Sequence, residues 1–196
     1  MASEELPLFP LNTVLFPGAQ LNLRIFEARY LDLVRECGRK GSGFGVCLIL
    51  EGSEVGAPAS SAAIGCEARI SDFATGSDGL LHLSVLGGRR FRVEHSRVRD
   101  NGQIHAEVSW LAVSEPQPVP DELQLLVVLL QRILERAGPP HNQAEKAQFA
   151  DADWVSWRLA EWLPLPGEEK QELLQTDSVH ARLHLLLQAV ARLQEP

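Results

Sequence analysis

Prolines at positions 116, 118 and 120 divide a chain of 196 residues into two stretches with different hydrophobic periods. Proline holds φ near one value and donates no amide hydrogen, so this spacing stiffens the backbone into a spacer. Upstream, short apolar runs alternate with polar residues and end on glycine-rich turns, which is the pattern of strands. Downstream, apolar residues recur every three to four positions, which is the pattern of helices. The chain is therefore expected to be α+β, with a β-rich part over 1–115 and a helical part over 116–196.

Within the first part, Leu6 to Leu11 is apolar and carries Pro7 and Pro10, which predicts an edge strand or an extended segment. Phe16-Pro17-Gly18 is a turn signal, and Leu21, Leu23 and Ile25 alternate with Asn22 and Arg24 as a half-buried strand does. Phe26, Tyr30, Leu33, Val34 and Cys37 fall at helical spacing, predicting one amphipathic helix over about 27–39. Phe44 to Leu50 reads as a strand, and Gly52 to Ala63 as a mobile loop. Four more strands are expected over about 64–74, 79–87, 89–98 and 103–111, with Gly87-Gly88 one of the tight turns between them. Strands joined this closely predict an antiparallel meander curled into a barrel.

In the second part, Asp121 is expected to cap a helix to about Arg136 whose apolar residues cover most of its circumference, so it should be the centre of a bundle. Asp151 or Asp153 caps a helix ending at Leu163, a short helix covers about 167–175, and Ser178 caps the last, to about Leu193.

Composition excludes several classes. The 18 basic and 26 acidic residues give a net charge of −8, which disfavours a nucleic-acid phosphate binder. The longest apolar run, Leu125 to Leu130, is far too short to span a bilayer, and the N-terminus lacks the pattern of a secretory signal. Cys37, Cys47 and Cys66 match no zinc or redox spacing and are expected to be buried thiols in a cytoplasmic protein.

Leu6-Pro-Leu-Phe-Pro-Leu-Asn-Thr-Val-Leu-Phe-Pro-Gly18, followed by Leu23-Arg-Ile-Phe-Glu-Ala-Arg-Tyr30, resembles the amino-terminal substrate-binding domain of Lon protease. It is most similar to the short stand-alone bacterial proteins built from that domain. Gly87-Gly-Arg-Arg-Phe-Arg-Val93, Ala106-Glu-Val-Ser-Trp-Leu111 and Asp153-Trp-Val-Ser-Trp-Arg-Leu-Ala-Glu-Trp-Leu-Pro164 extend the likeness over nearly the whole chain. The resemblance implies a PUA-like antiparallel β-barrel with one inserted helix, then a C-terminal helical bundle. It implies a polypeptide-binding role, with unfolded or extended polypeptide as partner and a protease or chaperone system as companion. No Gly-x-x-x-x-Gly-Lys-Ser/Thr phosphate loop occurs, and Gly38 to Gly45 lacks its Lys-Ser/Thr ending, so neither ATPase nor peptidase is expected.

Other chemistry reads weakly. His180 and His184 stand at half a metal site's spacing but flank an apolar stripe, and Ser42 lacks a nucleophile-elbow context. Neither a metal nor a cofactor is expected. The arginines at 89, 90, 92, 97 and 99 read first as a solvated strand face paired with Glu94 and Glu107, with Arg90 and Arg92 pointing the same way. Arg24 and Glu27 are expected in structural ion pairs. The candidate peptide-binding residues are Arg29, Tyr30, Arg90, Arg92, Trp154 and Trp157. The leading expectation is a non-catalytic polypeptide-binding module. The alternative is a small-molecule-binding protein or enzyme using a cleft between barrel and bundle.

Overall fold

The proline-bearing run at the N-terminus is not an edge. In a computed structural model, which describes residues 4–56 and 59–194, it is strand β1, Glu4–Leu11, and it is paired on both sides. Glu4 to Leu8 run antiparallel to β7 (Ile104–Trp110), and Leu8 to Leu11 run parallel to β3 (Phe44–Glu51). Only Leu8 belongs to both ladders. Pro7 therefore lies where β7 alone is the partner, and Pro10 where β3 alone is. A proline is tolerated where one side of its strand needs no amide donor, and each of these has such a side.

The remaining strands are β2 (Gln20–Ile25), β4 (Ser60–Ser61), β5 (Ile64–Thr75) and β6 (Leu81–Val98). Pairing runs β1–β7–β6–β5–β3 and returns to β1, a circuit that is mixed because β1 and β3 are parallel. The short β4 pairs with β3 inside the stretch expected to be a loop, of which residues 57–58 lie outside the described residues. Helix α1, Ala28–Lys40, is inserted between β2 and β3 and stops at Gly41 in the left-handed conformation.

Gly87 and Gly88 do not turn the chain. They lie inside β6, one continuous strand where two were expected. Before them β6 pairs with β2 and the end of β5; after them it pairs with β7 and the start of β5. The Phe16–Ala19 turn lies directly on Gly87, which donates to the Ala19 carbonyl at 2.8 Å and accepts from Gly18 N–H at 2.8 Å. A Cβ at Gly87 would stand 2.0 Å from the Phe16 carbonyl oxygen. Gly87 provides room for a backbone and Gly88 for the Glu67 side chain, requirements that look like a turn signal in sequence.

The barrel interior centres on Phe91, which is fully buried with Leu6, Leu8, Cys47, Ile104, Ala106 and Val108. Its ring occupies a slot made by Gly45 and Gly65: a Cβ at either would come within 2.6 Å of Phe91 Cζ. Trp110 meets the ring edge-on at 6.1 Å. The three thiols are free and buried, and burial pushes Cys47 up to about 12.

The chain divides into two compact units, Met1–Ala112 and Val113–Pro196. The second is helical: α2 (Gln124–Ala137), α3 (Lys146–Ala150), α4 (Ala152–Trp162), α5 (Gly167–Gln175) and α6 (Val179–Gln194). Asp151 caps α4 by accepting from Asp153 N–H, and the Ser178 hydroxyl accepts from Ala181 N–H ahead of α6. Asp121 does not cap α2. It opens a 3-10 turn, Asp121–Leu123, and its side chain caps nothing. Nor is α2 buried all round. Leu126, Val127, Leu130 and Leu134 are buried, while Leu125 and Val128 are exposed. The five-residue α3 is too short to show a period; a capping box of Glu145 and Gln148 opens it.

Replacing Gly87 with Ala should destabilise the protein by about 2 kcal/mol or more, because the added methyl meets backbone that cannot rotate away. Equilibrium urea unfolding would measure it. Alanine at the open Gly79, which has nothing within 4 Å but a φ of +74°, should cost less.

Candidate functional site

Beyond its pairing with β3, β5 continues as one strand of a three-stranded arm with β6 and β2. This arm and α1 flank a groove of about 1200 Å³ in the β-rich unit. Helix α1 contributes Leu31, Val34, Arg35, Glu36 and Lys40; β5 contributes Glu67, Arg69, Ile70 and Phe73; β1 and β7 contribute Glu4, Glu5, His105 and Trp110. Phe73 is 69% exposed, the barest aromatic among the exposed large apolar residues. An aromatic ring left in water on an ordered strand is a feature that a partner can cover.

Polar groups rim the apolar contacts in ordered pairs. Glu5 accepts from Arg97 at 2.9 Å, from Arg99 at 3.3 Å and from His105 Nδ1 at 2.8 Å. The Arg97 hydrogen bond, helped by His105, holds the Glu5 carboxyl down at about 2 against the opposing effect of desolvation. His105 is buried, which pushes its pKa below the ordinary value, and Arg99 adds to that shift. With Glu5 ionised, Nδ1 carries the proton, and the buried Nε2 is an acceptor with no hydrogen bond among the described residues. Glu36 takes Lys40 at 2.6 Å and Arg99 at 3.4 Å, tying α1 to the end of β6. Trp110 Nε1 donates to Glu4 at 2.7 Å beneath the Arg89 guanidinium.

None of the six residues singled out in the sequence lines this groove. Arg29 and Tyr30 are together and buried. Tyr30 stacks on Phe9 with ring centroids 3.8 Å apart, and Arg29 lies 4.6 Å over the Tyr30 ring. Arg29 also pairs with Glu27 at 3.1 Å and donates to the Glu54 and Gly102 carbonyls, so it pins two loops to α1. Tyr30 borders a smaller depression of about 360 Å³ with Phe26 and Val55. Arg90 is buried and Arg92 exposed, although they share a face of β6. Arg24 pairs with Asp78 at 2.9 Å. The other strand arginines, Arg97 and Arg99, reach Glu5 and Glu36, while Glu94 and Glu107 are exposed.

The two tryptophans lie in the helical unit and serve its packing. Trp157 is buried; its Nε1 donates to Asp153 at 3.1 Å, and Arg182 stacks on its ring at 3.5 Å. Arg182 is itself fully buried. It pairs with Asp153 and donates to the Ser156 hydroxyl at 2.8 Å and the Thr176 carbonyl at 2.9 Å. Trp154 is half-buried, edge-on to Phe149 at 5.2 Å. His180 is exposed and His184 half-buried, with their Nε2 atoms 2.9 Å apart, and no group of three or more potential metal ligands occurs among the described residues.

The groove residues were missed because their positions depend on strand pairing. Ile70 and Phe73 lie in a segment that reads as an ordinary half-buried strand. Only its length hints otherwise: β5 has 12 residues and β3 has 8.

Comparison with known proteins agrees with this architecture. The family model for the ATP-dependent protease La (LON) substrate-binding domain matches residues 5–192. A crystal structure of a Lon N-terminal domain protein from Xanthomonas campestris is 49% identical, with a TM-score of 0.79, covering 94% of this chain and 97% of that one. The N-terminal domain of a Mycobacterium avium complex Lon protease shares the fold at 18% identity, with a TM-score of 0.67 over 94% of this chain and 97% of its own. Lon protease from Anaeromyxobacter dehalogenans is 26% identical over 97% of this chain and 23% of its own length. That of Methylocella silvestris is 24% identical over 91% and 23%. The chain thus spans about a quarter of the length of the curated relatives it matches. No helix among the described residues is long and apolar enough to cross a membrane.

A carboxyl held low when folded adds stability above its unfolded pKa and loses it as pH falls toward its folded value. Glu5 should therefore lose its share between about pH 4.5 and about 2, and carboxyl NMR should place its folded midpoint near the lower figure. High salt should move that midpoint up, because Glu5 and Arg97 are both well exposed. Arg182→Met should cost about 3 kcal/mol in urea unfolding, since it leaves the largely buried Asp153 carboxylate without its cation.

Proposed function

The chain belongs to the Lon substrate-binding domain family, and from that premise we propose that it is a non-catalytic module that captures extended polypeptide. The observation that carries this reading is the groove, about 1200 Å³ in volume, with an exposed Phe73 on one side. Leu31, Val34, Ile70 and Phe73 offer apolar contact, and the charges around them are already paired. Such a surface gains about 25 cal/mol for each Å² of apolar area covered and asks little of side-chain identity. Folded proteins bury the side chains that would fill it, whereas unfolded chains present them. Capture is assigned to residues 1–115, and the capturing side chains to these four rather than to the six suggested by sequence. A protease or chaperone system is the proposed recipient of the captured chain. The three buried free thiols fit a reducing compartment, so the proposed setting is the cytoplasm.

Calorimetric titration with a reduced, carboxymethylated and permanently unfolded protein tests the reading. Saturable micromolar binding is expected, with none to the same protein folded. Val34→Asp should weaken it about ten-fold while leaving the melting temperature unchanged, because Val34 is only partly buried. No saturable binding at high micromolar concentration overturns the proposal.

A further inference from the structure

Strand β5 is longer than the strand that covers one of its edges. On the β6 side it is paired from Ile64 to Thr75. On the other side β3 reaches only Cys66, Glu67 and Ala68, because β3 begins at Phe44, just after α1 ends at Gly41. From Arg69 to Thr75 this second edge has no strand partner among the described residues. Those residues make a lane about 20 Å long. The Phe73 N–H shows how the lane is kept in the free protein: it donates to the carboxylate of its own neighbour, Asp72, at 2.8 Å. A charged side chain that covers an edge amide blocks indiscriminate pairing and leaves the amide available to a competing carbonyl.

The lane borders the groove, since Arg69, Ile70 and Phe73 line it while Leu31 and Val34 of α1 line it too. A strand edge facing a helix across a groove is a setting in which a peptide adds as a further strand. Its main chain supplies affinity and its alternate side chains enter apolar pockets. Charge narrows the occupant. Two ion pairs beside the apolar side chains turn their cations outward: the Lys40 side chain is 65% exposed against 18% for Glu36, and Arg69 58% against 11% for Glu67. An incoming segment meets apolar side chains with ammonium and guanidinium groups above them.

Resting on the polypeptide-binding reading, we propose that an extended segment of alternating apolar side chains with a carboxylate at one end binds by adding a strand along Arg69–Thr75. It fills the lane that β3 leaves open. Recognition is then mainly by backbone, which admits many sequences and excludes folded chains whose amides are already paired.

Fluorescence anisotropy with a labelled peptide of about eight alternating Leu and Val residues ending in Asp tests this. Two further peptides carry N-methyl groups on alternate amides, one on each edge. An added strand presents one edge to β5, so one methylated peptide should bind about ten-fold or more weakly and the other as well as the parent. These arms use the unaltered protein and do not depend on a variant folding. Phe73→Pro, which removes the edge amide with the ring, should weaken binding more than Phe73→Ala. Equal binding of all three peptides overturns strand addition, as does no peptide binding. So does an edge-dependent dimer in sedimentation that the peptide leaves intact. If unfolded protein still binds in those cases, the polypeptide reading stands and only this mode falls; if it does not, both fall.

Discussion

The β-rich unit depends on β1 being paired twice. One strand of eight residues holds β7 with its first half and β3 with its second, and Leu8 is the residue shared by both ladders. Without that change of partner the order β7–β6–β5–β3 would be an open sheet with two free edges. The prolines at 7 and 10 fit because neither faces two partners at once. Closure then brings the interior together: Phe91 reaches the two glycines of β3 and β5 only because those strands are held side by side.

Closure also creates the candidate site. The circuit uses β5 only as far as Ala68 on its β3 side, and what remains of β5 extends as an arm with β6 and β2. Gly87 stands at the changeover, where the Phe16–Ala19 turn crosses β6. The free edge of the arm and the inserted helix then flank one groove. The groove is thus a consequence of unequal strand lengths in a closed sheet. The Glu5–His105–Arg99–Glu36 cluster fixes the start of β1, the end of β6 and α1 around it. The helical unit is held differently, by the buried Arg182, whose partners come from α4 and the turn before α6.

Much of this could be read from residue pattern. The inserted helix and the helices ending at Trp162, Gln175 and Gln194 follow from period, capping residues and breakers, all local properties. Gly87-Gly88 resembles a turn, and the Leu6–Leu11 run resembles an edge, because glycine and proline report backbone needs without saying which contact creates them. Trp157, a candidate binding residue by sequence, is buried in the helical unit, where Arg182, 25 positions later, stacks on its ring.

The sequence by itself determined the family, the change from strands to helices near Pro116, and most element positions, since each rests on neighbours a few residues apart. Only the tertiary structure decided that β1 closes the sheet, that β6 is one strand, and that β5 keeps a free edge beside α1. Those outcomes depend on register between segments tens of residues apart. A strand's pattern tells which of its faces is apolar, but not how far its neighbour extends along it.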